Sequence, residues 1–293
     1  MTEPIASVAV EARETNAEYH ADLSHYSHSM LESYIKNPGD FRDIYITGSR
    51  APDPPTEPMQ FGSAVHMAVL ENVDIPEHYT ILNPPINKKT GKPFGIQTKA
   101  YESFFQLLDP AGDYLTLQQC DAIQAINKNI HAHRDAMILL GVGGESEVAV
   151  RWIREDGTRC KAKFDRIVSP GVYGGVRLIP DLKTASDPTP DGFTKAIVKY
   201  GYHRQAAWYL DYFADDPIPT EFPFVVVGSS EPHDVYVHEL DEYAIETGRR
   251  ENAEILRRIK ESKKTGVWTH PEQRQVNTIS LPKFYREIQE PEE

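Results

Sequence analysis

SEVAVRWIR (residues 146–154), EDGT (155–158), RCKAKFDRIV (159–168) and VRLIPDLKT (176–184) make up the stretch whose reading decides the fold. From Glu145 onward the hydrophobic period is two, and Asp156-Gly157 supplies the positive φ angles of a tight turn, so the first three pieces predict a β-hairpin. A Ser169-Pro170-Gly171 turn and Gly174-Gly175 lead into a third strand. Residues two apart in a strand share a face, which places Lys161, Lys163 and Asp165 on one side and Ala162 and Phe164 on the other. The same rule sets Asp181 beside Lys183 with Leu182 turned away. Adjacent antiparallel strands could bring Asp165 near Asp181, building a two-carboxylate, one-lysine cluster at a sheet edge. Two carboxylates forced together repel unless a cation neutralises them, and oxygen ligands suit Mg²⁺ or Mn²⁺.

Outward from this stretch the pattern is helical on both sides. A helix capped by Ser27 or Ser29 runs through SMLESYIK to Asn37-Pro38-Gly39, and APDPPTEP (51–58) is a proline-rich loop. PMQFGSAVHMAVLEN (58–72) reads as a helix with Phe61, Val65, Val69 and Leu70 on one stripe and Gly62 admitting another backbone. Residues 83–95 form a loop, and 98–140 read as helices broken at Asp109-Pro110-Ala111-Gly112. Beyond the hairpin, 191–213 is helical with a break near Gly201, EFPFVVVG and VYVHEL are strands, and 241–264 is a last amphipathic helix. Strand, helix and strand in that order imply a right-handed crossover to a parallel neighbour. The fold class is α/β: a mixed central sheet flanked by helices.

A chain of 293 residues with 40% hydrophobic content can bury one sizeable core. The expected organisation is a mobile N-terminal tail over 1–20, a single domain over 21–275 and an acidic C-terminal tail over 276–293. No apolar run approaches the ~18 residues that span a bilayer, and the opening residues lack the basic-then-apolar order of a secretory signal, so a cytoplasmic location with no membrane is expected. Cys120 and Cys160 alone give neither a disulfide framework nor a four-thiolate site. Lys88-Lys89-Thr90-Gly91-Lys92 lacks the leading glycine of a P-loop, which sets ATP aside. Gly141-Val142-Gly143-Gly144 lacks the third glycine of a dinucleotide loop and precedes a strand. The net charge of −13 argues against a surface built for nucleic acid. Residues 159–204, however, hold nine Lys/Arg against four acids, so a basic site inside an acidic protein is open, as is a set of solvated faces.

Pro180-Asp181-Leu182-Lys183 preceded by Asp165 resembles the PD-(D/E)XK nuclease core, and three further features strengthen the likeness. Gln205 and Tyr209 fit a Q-x-x-x-Y motif, their i, i+4 spacing putting both on one helical face. His66 fits the upstream helical histidine of the RecB-like branch, and the run from Phe193 through Tyr200-Gly201-Tyr202-His203-Arg204-Gln205 to Tyr209 resembles RecE-type exonucleases over roughly residues 22–275. The resemblance implies a restriction-endonuclease-like core. It also implies Mg²⁺, with Mn²⁺ as a substitute, held by His66, Asp165, Asp181 and the carbonyl of Leu182. Lys183 would position or activate the attacking water, and Gln205 and Tyr209 would contact DNA or steady the site. Glu147, on the first sheet strand, is left open. Simple ion pairing of Asp165 and Asp181 with Lys161, Lys163 or Lys183, and a core hydrogen bond for His66, stand as alternatives.

The activity so implied is Mg²⁺-dependent digestion of linear double-stranded DNA from its ends, 5′ to 3′, leaving 3′ single strands for a single-strand annealing protein. A homo-oligomeric ring around the DNA follows from the same resemblance. An endonuclease on the same core and a non-catalytic DNA-end-binding module are the competing classes.

Overall fold

The computed structural model describes residues 14–94, 97–108, 112–141, 143–274, 276 and 278–281. The first 13 residues and most of the expected acidic tail lie outside them, as do Asp109-Pro110-Ala111 of the expected helix break and Val142 of the glycine run. In chain order the regular elements are α1 (Asn16–Ala21), α2 (His28–Lys36), α3 (Pro38–Phe41), α4 (Glu57–Leu70), α5 (Ile75–His78), β1 (Thr80–Leu82), α6 (Lys99–Phe105), β2 (Tyr114–Thr116), α7 (Leu117–Ala132) and α8 (Arg134–Gly141). They continue with β3 (Gly144–Ile153), β4 (Arg159–Val168), β5 (Arg177–Leu178), β6 (Asp181–Ala185), α9 (Pro190–Tyr200), α10 (Tyr202–Leu210), β7 (Thr220–Glu221), β8 (Phe224–Gly228), β9 (Val235–His238) and α11 (Glu242–Thr265). No helix among the described residues is long and apolar enough to cross a membrane.

Two compact units emerge. The larger, residues 1–28 and 52–254, holds the sheets. β3 and β4 form the expected antiparallel hairpin, closed by Gly157 at φ 76° and pairing Ile153 with Arg159. The expected third strand is broken in two: β5 pairs antiparallel with β4 through Val168 and Leu178, whereas β6 pairs parallel with β8. Pro180, which has no N–H, sits at the step. Backbone bonds from Ile179 to Glu221 (2.9 Å) and from Asp181 to Pro223 (3.0 Å) carry the parallel ladder across it. α9 and α10 connect β6 to its parallel neighbour β8, with Gly201 at φ 70° ending one helix and starting the next, a left-handed conformation that glycine adopts without a Cβ clash. β1 and β2, joined in parallel, were not foreseen, because three residues are too few to show a period.

Phe61, Ala64, Val65, Ala68 and Leu70 of α4 pack with Ile123, Ile126 and Ile130 of α7 and with Leu182, Val225 and Val227 from the sheet. The other face of the hairpin buries Phe164, whose ring meets Tyr209 at 5.2 Å and Phe213 at 5.6 Å, while Trp208 donates its indole N–H to the Lys161 carbonyl at 3.0 Å. Gly62 does not admit a backbone: a Cβ there would meet the Thr184 hydroxyl at an ordinary 3.5 Å. The close approach is at Gly248, where a Cβ would fall 2.3 Å from the His203 carbonyl oxygen.

Among its described residues, the smaller unit, 29–51 and 255–293, is mostly helical. Phe41 lies between Tyr34 (5.5 Å) and Tyr45 (5.3 Å) and stacks on Trp268 at 6.1 Å, and the Tyr34 hydroxyl meets Ser262 Oγ at 2.8 Å.

Residues 16–20, read from sequence as part of a mobile end, form most of α1, closed by a capping box between Thr15 and Glu18. Lys161 holds this segment. Its ammonium is buried, donates to the carbonyls of Tyr19 and Asp22, the latter at 2.6 Å, and lies 4.4 Å from the Tyr19 ring centre. Arg151 adds bonds to Asp22 (2.9 Å) and Glu14 (2.8 Å). Lys161→Ala would leave those carbonyls without their charged donor, and should lower stability by about 3 kcal/mol, read as a smaller urea midpoint at unchanged slope. Burial raises the Asp22 carboxyl, but hydrogen bonds from Ser24 and Arg151 outweigh it and hold the group below the usual carboxylate range. A depressed folded-state pKa gives stability that is present above the unfolded value of ~3.9 and lost as pH falls below it. Amide-exchange protection of residues 16–22 should therefore decline below about pH 4 before that of β3 and β4.

Candidate active site

The site forms between β4 and β6. β4 pairs with β5 through Val168 and Leu178, but β6 turns to β8 and shares no ladder with β4 among the described residues, so Asp165 and Asp181 do not lie on paired antiparallel strands, and the Leu182 amide donates instead to Asp165 Oδ2 at 2.8 Å. A backbone N–H on a carboxylate is a strong, charge-assisted bond, so it fixes the Asp165 head at the fork. From α4, His66 reaches the same place: its Nε2 lies 2.7 Å from the Leu182 carbonyl oxygen and its Nδ1 3.6 Å from Asp165 Oδ2. The bond to the carbonyl makes Nε2 the protonated nitrogen in this arrangement.

Glu147 completes the cluster. The hairpin register pairs Ser146 with Arg166 and Val148 with Phe164 but passes over Glu147 and Asp165, which face each other in the gap. Glu147 has φ 58°, uncommon for a residue with a side chain and a conformation that collects at functional sites. Among the described residues, His66, Glu147 and Asp165 each offer a ligand atom, all within 4.8 Å of one another. One imidazole and two carboxylates form a hard donor set that fits a small divalent cation, and the Leu182 carbonyl at His66 adds a further oxygen. The sequence left Glu147 open, although counting pairs back from the Asp156-Gly157 turn sets it opposite Asp165.

Asp181 is almost fully buried and stands outside that three-residue group. Its Oδ2 forms an ion pair with the Lys183 ammonium, and its Oδ1 accepts from Gln205 Nε2 at 2.8 Å. Burial pushes the Asp181 carboxyl up to about 6, with Lys183 opposing the rise and Asp165 adding to it. Burial lowers the Lys183 ammonium, yet Asp181 and Asp165 overcome this and hold it above its ordinary range. Tyr209 is raised well above its ordinary value by burial and by Tyr19, Asp181 and Asp165, and it hydrogen-bonds Gln205. The i, i+4 spacing on α10 thus builds a chain from Tyr209 through Gln205 to Asp181.

The ion-pair alternative is met in part: Lys183 pairs with Asp181, and Lys163 pairs with Glu147 at 2.7 Å rather than with an aspartate. Much of the basic segment is consumed inside the fold. Lys161, Arg166 and Arg177 are buried, and Arg177 pairs with Asp216 at 2.8 Å and Arg204 with Glu251 at 2.8 Å. The +5 counted over 159–204 therefore does not form a continuous basic face.

A family model described as "PDDEXK-like domain of unknown function (DUF3799)" matches residues 27–275. No curated protein matches the sequence. Among solved structures, a crystal structure described as a "putative exonuclease" from Eubacterium rectale superposes with a TM-score of 0.59 at 16% identity, over 95% of this chain and 99% of the other. That likeness establishes the shared fold.

Because the folded-state pKa of Asp181 is raised, its contribution to stability is full below the unfolded value of ~3.9 and is lost as pH rises through about 6. The ion-free protein should melt lower at pH 8 than at pH 5, and Mg²⁺ or Mn²⁺ should restore more at pH 8. At a hundredfold excess over Kd the restoration is about 2.7 kcal/mol. Differential scanning fluorimetry reads it, and Glu147→Gln or Asp165→Asn should remove most of the metal-induced shift.

Proposed function

The chain belongs to the PDDEXK-like family, whose model spans residues 27–275, and from that premise we propose that it is a Mg²⁺-dependent DNA exonuclease. The observation that carries this reading is the convergence of His66, Glu147 and Asp165 beside the Asp181–Lys183 pair. Glu147, Asp165 and His66, with the Leu182 carbonyl and Asp181 at its edge, would hold the ion. Bound there, the ion lowers the pKa of water and offsets charge on phosphoryl oxygens. Lys183, kept protonated and aimed by Asp181, orients the water and stabilises the developing negative charge. Gln205 fixes Asp181, and Tyr209, which keeps its proton, fixes Gln205.

The finer reading rests on the RecE-type likeness of the 193–209 run and on the fold shared with the E. rectale protein, described as a "putative exonuclease". It comprises 5′-to-3′ digestion of linear duplex, 3′ tails passed to a single-strand annealing protein, a homo-oligomeric ring, and a single nuclease domain over 21–275. Light scattering at micromolar concentration tests the ring, which a strict monomer would refute.

Labelled linear duplex, closed circular duplex and single strands, each with and without Mg²⁺, test the activity. Linear duplex should lose its 5′ label first, and closed circles should survive. Rapid cutting of closed circles would favour an endonuclease, and tight end binding without cleavage a binding module. Asp181→Asn and Lys183→Ala should each lower cleavage about a hundred- to a thousandfold while DNA binding persists.

A further inference from the structure

Beside the proposed centre lies an aromatic path to the surface, which the nuclease chemistry does not use. The Lys183 ammonium sits 5.3 Å from the centre of the Tyr202 ring, and the Tyr202 ring lies 5.6 Å from that of Tyr200. Tyr202 is fixed from behind, stacked on Phe193 at 5.6 Å and tilted against Phe224 at 5.8 Å. Tyr200 is 50% exposed, at the end of α9 just before the left-handed turn at Gly201. That turn sets the two rings side by side, one held in the fold and one facing solvent.

The surface around Tyr200 has a defined chemistry. Lys195 and Lys199 are four residues apart on α9, hence on one face. Val198, 73% exposed, lies between them in sequence, and the Lys199 ammonium stands 4.9 Å from the Tyr200 ring centre. In the same basic segment Lys161, Lys163, Arg177, Lys183 and Arg204 are engaged by carbonyls or carboxylates, whereas Lys195 and Lys199 are exposed. In a protein of net charge −13, a local pair of exposed lysines beside an exposed ring favours a ligand that is both anionic and flat. Single-stranded nucleic acid is such a ligand: cations track its phosphates while aromatic rings stack its bases.

We propose that Tyr200, backed by Tyr202, is a stacking platform for an unpaired base of the DNA strand next to the scissile phosphate, with Lys195 and Lys199 holding the adjoining phosphates. The proposal rests on the nuclease reading and deepens it: the enzyme takes hold of a separated strand at the site, so the base beside the scissile bond is unstacked from its duplex neighbour. Tyr200 is a positioning residue and takes no part in proton transfer.

Linear duplexes with a short unpaired 5′ or 3′ end carrying 2-aminopurine, mixed with the full chain in Ca²⁺ in place of Mg²⁺, provide the test. Wild type should quench the probe on binding. Tyr200→Ala should abolish the quench and weaken binding about ten- to a hundredfold, by the loss of one base–aromatic stack, whereas Tyr200→Phe keeps both. In Mg²⁺ the defect should appear in KM more than in kcat. Lys199→Gln, on an exposed helix face, should leave the melting temperature unchanged and reduce the dependence of log K on log salt by about 0.7. A wild type that binds and cuts while Tyr200→Ala, or an equally good Tyr200→Leu, still quenches and binds normally would overturn the platform and leave the nuclease reading standing. A wild type that neither binds nor cuts any of these DNAs would overturn both.

Discussion

The hydrogen bond from the Leu182 amide to Asp165 is the constraint on which the rest of the site depends. It stands between β4 and β6, which share no backbone ladder among the described residues, so it supplies a partner to an amide that would otherwise lack one on that side. Each neighbour then follows. Asp165 is held with an oxygen toward His66 and Glu147, the Leu182 carbonyl is presented to His66, and Leu182 itself turns into the core. Asp181 and Lys183, one residue to either side, are carried to the same fork on the opposite face of the strand.

Burying an aspartate beside a second carboxylate is unfavourable, and the fold meets that cost locally. The Lys183 ammonium and the Gln205 amide engage both oxygens of Asp181, and Gln205 is itself tied to Tyr209. Glu147 is similarly matched by Lys163. What remains is a group of donors set close together by the backbone, a preorganised arrangement whose hard oxygen and imidazole ligands suit a divalent cation.

The same balancing explains how a protein of net charge −13 carries a basic segment without a basic face. Lys161 anchors α1, Arg177 holds Asp216, and Arg204 holds Glu251, so these cations fasten the fold. Their number in sequence says little about their direction. Lys195 and Lys199, exposed on α9, are the cations that the stacking proposal assigns to an anionic ligand.

Local chemistry made much of this legible from sequence. A period of two, an Asp-Gly turn and an aspartate and lysine two apart pointed to the hairpin and to the shared face of Asp181 and Lys183, because each depends on neighbours along the chain. The i, i+4 spacing placed Gln205 and Tyr209 together for the same reason. Residue spacing did not bring His66 to the Leu182 carbonyl, 116 residues away, which only the family resemblance set at one site, and sequence neither seated Glu147 in the donor cluster nor buried Lys161 under α1. It read one strand where Pro180 divides β5 from β6, and it missed the pairing of β1 with β2. Those outcomes depend on which distant elements pack together. A periodic pattern determines which face of an element is apolar, and only tertiary packing determines what that face, and the polar groups beside it, will meet.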